Sequence, residues 1–128
     1  MASVSIARRD GASGPKVLLH LEGLTALAAA TAAYWHYGFG WWWFAGLLLA
    51  PDLAMIAYLI NPRVGSCAYN VVHTYALPLA LGLLSLLAGW QFGGQLALIW
   101  LAHIGMDRAL GYGLKYATDF KDTHLGRV

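Results

Sequence analysis

Leu98-Ile-Trp-Leu-Ala-His-Ile-Gly-Met-Asp-Arg-Ala-Leu-Gly-Tyr-Gly-Leu-Lys-Tyr116 is the stretch on which the reading of this chain turns. Its first half is apolar enough for a membrane helix, yet it carries His103, Asp107 and Arg108. His103 and Asp107 stand four residues apart, so on a helix they share one face. A carboxylate at that depth is costly unless it finds a partner. The rest of the sequence must therefore supply helices that bring such partners.

The chain has 128 residues, enough for one domain. It is 59% hydrophobic and only 11% charged, with a mean hydropathy of +0.57. Soluble domains average about 45–50% apolar and about 25% charged residues. The composition is that of a membrane protein, with the lipid bilayer as its main surroundings. Cys67 is the single cysteine, which excludes an internal disulfide and any cysteine-based zinc motif. A net charge of +2, with no long basic run, gives no reason to expect a nucleic-acid partner.

Residues 1–16 are small, polar and turn-rich, and read as a flexible tail. Arg8, Arg9 and Lys16 ahead of an apolar run resemble a signal peptide, but Glu22 sits inside the run, so a retained first helix is expected. Four apolar segments follow, at residues 17–37, 41–60, 65–90 and 95–114. Each has the ~20 residues that cross a hydrocarbon core of about 30 Å. The expected fold is all-α, an integral membrane four-helix bundle, with residues 115–128 as a cytosolic C-terminal segment. Every Lys and Arg falls before the first span, between the second and third, or at and after the end of the fourth. That asymmetry puts both termini in the cytosol. Tyr34, Trp35, Tyr37, Trp41, Trp42 and Trp43 crowd the opposite boundary, as an interfacial belt would. The loops are short, so successive helices should be antiparallel neighbours.

Depth along these spans follows from the rise per residue. Counting from Lys16, Arg63 and Lys115, Glu22 lies about 9 Å in, Asn70 about 10 Å, Asp107 about 12 Å, His73 about 15 Å, Asp52 about 16 Å and His103 about 18 Å. Polar residues from all four helices thus share one slab of the inner half. Intramembrane ionisable groups face bundle interiors and mark ion paths, proton relays or sites. Asp52 follows Pro51, which should kink the second helix and free a carbonyl. Asn70 alone reads more simply as an interhelical hydrogen bond. Arg108 either reaches the interface, pairs with a carboxylate or holds an anionic substrate. Gly105, Gly111 and Gly113 read as close-packing positions.

Two chemistries suit the set. His73, His103 and Asp107 offer three nitrogen and oxygen ligands, the number that a catalytic zinc or non-haem iron uses while keeping open positions. No established ligand spacing accompanies them. In the metal-free alternative, Asp107 or Asp52 fixes a histidine tautomer and the imidazole moves protons. Paired haem ligation by His20 and His36 is disfavoured: sixteen residues turn a helix by about 160°, which puts the two on different faces.

Ala50-Pro-Asp-Leu, Asn61-Pro-Arg-Val-Gly, Ala68-Tyr-Asn-Val-Val-His-Thr-Tyr, the stretch from Trp100 to Tyr116, and Phe120-Lys-Asp-Thr-His-Leu-Gly-Arg together resemble domain-of-unknown-function family 4260. That resemblance implies a small, stand-alone, mostly bacterial membrane domain of four spans, and hence an inner-membrane location. It implies no activity, cofactor or substrate. The residues themselves point to a small membrane-embedded enzyme with a cytosol-facing site built from Asp52, His73, His103, Asp107, Arg108, Glu22 and Asn70, acting on an amphipathic small molecule with or without a divalent metal. Lys121, Asp122 and His124 are placed to close its mouth. The alternatives are a proton-coupled carrier acting as a homo-oligomer, and a structural or accessory subunit.

Overall fold

A computed structural model of the protein describes residues 14–117, 121 and 123–127. Of the expected tail over 1–16, residues 14–16 instead open the first helix, and residues 1–13, like Asp122, lie outside the described residues. The fold is all-helical: α1 (Gly14–His36), α2 (Trp41–Leu47), a 3-10 helix (Ala50–Leu59), α3 (Pro62–Val72), α4 (Ala76–Ala88), α5 (Gln91–Leu110) and α6 (His124–Arg127). Gly14–His36, Trp41–Leu59 and Pro62–Ala88 are long and apolar enough to cross a membrane.

Two of the expected continuous spans are broken, and both breaks trace to proline. Pro51 lacks an N–H, and its ring collides with the carbonyl four residues before it. The α-helix accordingly stops at Leu47, and winding resumes in the tighter 3-10 form with Asp52 N–H donating to Leu49 O at 3.0 Å. Pro78 sits in the first turn of α4, so the helix cannot continue back through Thr74, and the chain leaves helix between Val72 and Ala76. The break after α2 was anticipated; the one at 73–75 was not. Local signals set the remaining ends. The Asn61 side chain caps α3 by accepting from Val64 N–H at 2.8 Å, with Pro62 as the first helical residue. Gly111, at φ +97°, closes α5 four residues before the expected end of the fourth span, and Tyr112 N–H returns to Asp107 O at 2.7 Å.

α5 is the hub. It contributes Ala97, Ile99, Ala102 and Ile104 to the buried core, and α1 and α4 pack along it. Both pairings are antiparallel. At one end His20 Nδ1–H donates to Ala109 O at 2.9 Å; at the other Gln95 Nε2 donates to the Tyr34 hydroxyl at 2.9 Å. Between these ties Gly23 and Gly105 bring the two backbones together. A β-carbon built on Gly105 would lie 2.6 Å from Leu27 N and 2.7 Å from Gly23 O. The close-packing reading of Gly105 therefore holds. Of the aromatic residues near the far end, Tyr34 turns inward and is fully buried, with its hydroxyl donating to Gly40 O. Trp42, by contrast, is 91% exposed. Neither α2 nor the 3-10 helix has a buried residue, and leucines of α1 and α4 face outward. An apolar exterior on this scale suits contact with lipid, not water.

The C-terminal segment folds back on the bundle. Lys115 and Thr123 form an antiparallel bridge, His124 N–H donates to Leu114 O at 2.9 Å, and Leu125 is buried. Gly113 makes room for this contact, since a β-carbon there would sit 2.6 Å from His124 Nδ1.

Candidate functional site

Both helix breaks open onto α5 at the same level. Asp52 stands at the start of the 3-10 helix, His73 caps the end of α3, and His103 and Asp107 occupy one face of α5. One ligand-type atom from each of the four lies within 4.8 Å of the other three. His73 Nε2 is 3.1 Å from Asp52 Oδ1 and 3.4 Å from Asp107 Oδ2. His103 Nε2 is 3.1 Å from the same Asp52 oxygen and 3.2 Å from the same Asp107 oxygen. The two Nε2 atoms are themselves 3.1 Å apart. Both histidines are fully buried, Asp107 nearly so, and the Asp52 side chain is 31% exposed.

The surroundings of His73 settle its tautomer. Its Nδ1 lies 2.8 Å from the Tyr69 carbonyl, which can only accept, so Nδ1 carries the hydrogen. The Tyr69 ring stacks on the imidazole at 3.7 Å and 9°. The carbonyls freed by the break are taken by α5: Trp100 Nε1 donates to Val72 O at 2.7 Å, and Arg108 Nη2 donates to His73 O at 2.7 Å. Arg108 Nη1 also donates to Tyr112 O at 2.8 Å. Arg108 is thus a clamp on backbone carbonyls, in a role different from the expected carboxylate partner or anion holder. His103 Nδ1 is buried without a hydrogen-bond partner.

Asn70 and Glu22 stand apart from the cluster. Asn70 reads the backbone of the C-terminal segment, donating to Lys115 O at 2.7 Å and accepting from Lys115 N–H at 2.6 Å. These bonds hold the C-terminal segment, where an interhelical bond was expected. Glu22 lies on the exposed face of α1. Lys115 Nζ sits 4.6 Å from the centre of the Tyr69 ring, the ring that stacks on His73, so the tail is tied to the site's rear wall. Lys121 is exposed, and His124 accepts from Leu114 N–H at 2.7 Å.

The sequence reading assigned Asp52 to orientation or charge balance; the geometry puts it at ligand distance. It marked Tyr69 only as one of several hydroxyls near this level, and Trp100 not at all. Tyr69 precedes His73 by one helical turn, a spacing that marks its carbonyl as a partner for the ring. Trp100 had no such signal, because its partner carbonyl exists only through the break. A groove of about 510 Å³ between α4 and α5 is lined by Pro78, Gly82, Leu98 and Leu101 among others and by none of the cluster residues.

Four converging atoms bearing two carboxylate charges can be balanced by protons or by a cation. With both imidazoles neutral, His73 Nε2 is a bare lone pair and His103 Nε2 supplies at most one hydrogen among three acceptors. With both protonated, two N–H groups confront each other across 3.1 Å. A divalent cation at the centre uses all four lone pairs and cancels both charges. Tetrahedral zinc at about 2.0–2.1 Å from its ligands has ligand–ligand edges of about 3.3–3.4 Å. The five edges that include a histidine, 3.1–3.4 Å, fall close to that, and the edge between the two carboxylates is within 4.8 Å.

No curated protein and no solved structure gives a significant match to this sequence. A family model does, over residues 16–128, which takes in every residue of the cluster and the docked tail. The chain belongs to the family described as domain of unknown function DUF4260.

Proposed function

We propose that the protein is an integral membrane enzyme of four spans whose Asp52, His73, His103 and Asp107 hold a divalent transition metal, zinc or iron. The observation that carries this reading is the convergence of two imidazole nitrogens and two carboxylate oxygens, with the His73 lone pair aimed inward by its Nδ1–H bond to Tyr69 O. A backbone carbonyl behind a ligating histidine is the usual outer support of a metal site. α5 serves as the fourth span, its charged residues turned toward protein and away from lipid. The distribution of Lys and Arg supports both termini at the cytosolic face, and the family resemblance supports a bacterial inner membrane. The site then lies in the inner half of the bilayer, where an amphipathic substrate enters from the side on which Asp52 is exposed.

Elemental analysis of protein purified in detergent without chelators tests this reading. The expected result is one zinc or iron per chain, lost in His103→Ala and Asp107→Ala while helical content is kept. Folded wild-type protein that takes up neither metal, even when either is supplied, rejects the proposal. The helix breaks at Pro51 and after Val72 favour one second reading, a carrier, because discontinuous helices form ion sites in transporters. Proton-linked uptake of the bound ion into vesicles, with no turnover, would support it.

A further inference from the structure

The four groups of the cluster are not held alike. His73 is fixed by the Tyr69 carbonyl, by ring stacking, and by the Trp100 and Arg108 clamps on the break behind it. His103 and Asp107 project from consecutive turns of the most buried helix, and the Asp107 side chain is only 8% exposed. Asp52 stands on a 3-10 helix that has no buried residue, directly after the proline that breaks the span, and its side chain is 31% exposed. A long 3-10 stretch has poorer hydrogen-bond geometry than an α-helix and often marks a functional hinge. The hydrogen bonds that the Asp52 carboxylate makes run to the cluster itself.

We infer that Asp52 is the exchangeable ligand of this centre, and that His73, His103 and Asp107 form its permanent set. This rests on the metal reading above. When Asp52 swings out toward its exposed side, one coordination position opens on that side. An oxygen donor fills it: water, or the carboxylate, hydroxamate or carbonyl head of an amphipathic molecule. The displaced carboxylate remains next to the incoming group and can take a proton from a bound water or hydroxyl. Two imidazoles and one carboxylate with open positions are a ligand set used for catalysis by both zinc and non-haem iron.

The test uses the full-length protein in detergent, loaded with Co²⁺, with acetohydroxamate as the oxygen-donor probe. Wild-type protein should bind one Co²⁺ per chain with the strong visible absorption of a four-coordinate ion, and acetohydroxamate should change that spectrum saturably. Asp52→Asn should still bind one Co²⁺, with less than about a 10-fold loss of affinity and a weaker, higher-coordinate spectrum. Asp107→Asn and His73→Gln should lose more than about 100-fold, beyond the range seen for outer-shell changes. Asp52→Glu, which keeps a carboxylate, should restore a spectrum close to wild type and shows that the segment still folds. If Asp52→Asn loses as much affinity as Asp107→Asn, or if the wild-type spectrum ignores acetohydroxamate, Asp52 is a permanent ligand and the inference fails while the metal site stands. If folded wild-type protein binds no Co²⁺, zinc or iron, the metal reading falls and takes this inference with it.

Discussion

The crossing of α1 and α5 offers a quantitative test of how this bundle is held together. In Gly105→Ala the new methyl group would lie 2.6 Å from Leu27 N, 2.7 Å from Gly23 O and 3.1 Å from Leu27 Cα, against an ordinary contact of 3.4 Å or more. The obstacles are backbone atoms, which cannot rotate away as a side chain would. To restore 3.4 Å the helices must part by about 0.8 Å, the difference between 3.4 and 2.6. A radial gap of about 0.5–1 Å forfeits a quarter to a half of the dispersion energy of each facing atom pair. Overpacking of this kind costs about 1–3 kcal/mol, and a rigid backbone puts the cost near the upper end. The better helix propensity of alanine returns about 1 kcal/mol, leaving a net loss of about 1–2 kcal/mol. Gly94→Ala is the control: a β-carbon there meets nothing within 4 Å, so the same change should be neutral or stabilising. Because Gly23 meets Gly105 at one crossing, the double variant Gly23→Ala/Gly105→Ala should lose less than the sum of the single losses. Reversible unfolding in mixed detergent, read by far-UV circular dichroism, supplies the comparison. A Gly105→Ala protein as stable as wild type, beside an equally unaffected Gly94→Ala, would refute the close crossing and the α1–α5 register built on it.

Three further outcomes are expected. Burial and the nearby Arg108 charge lower the affinity of His124 for a proton below that of a free histidine, whose pKa is 6.5. Since the docked form resists protonation and the undocked form does not, docking is strongest above pH 6.5 and weakens as pH falls below it; smaller amide protection factors at Leu114 and His124 at pH 5.5 than at pH 7.5, each taken relative to the intrinsic exchange rate at that pH, would show this, and equal protection would contradict it. Asn70→Ala leaves both backbone groups of Lys115 without their side-chain partner, a loss of about 1–3 kcal/mol for each group left unsatisfied, and limited proteolysis should then cut the C-terminal segment first. Arg108→Lys replaces a fork that reaches two carbonyls with a point charge that cannot hold both, so metal affinity should drop about 10–100-fold, the range for outer supports of a metal ligand; an unchanged affinity would separate Arg108 from His73.

Length, hydropathy and residue spacing were enough to foretell an all-helical chain with apolar spans, the shared face of His103 and Asp107, and the interruption at Pro51. Each of these follows from local rules of helix period, helix length and proline geometry. The common level of Asp52, His73, His103 and Asp107 was also legible, because rise per residue converts sequence position into depth. Azimuth was not. Depth counting also admitted Glu22 and Asn70, yet Glu22 faces outward and Asn70 binds the tail. Which way a side chain points around its helix depends on how the helices are rotated against one another, and that is set by long-range contacts such as Gly23 against Gly105. The second break is a similar case. Pro78 alone allows a kink or a full stop, and the stop is held by Trp100 and Arg108, donors from a helix about thirty residues away. Only tertiary packing could decide that those donors meet those carbonyls, and so deliver His73 to His103.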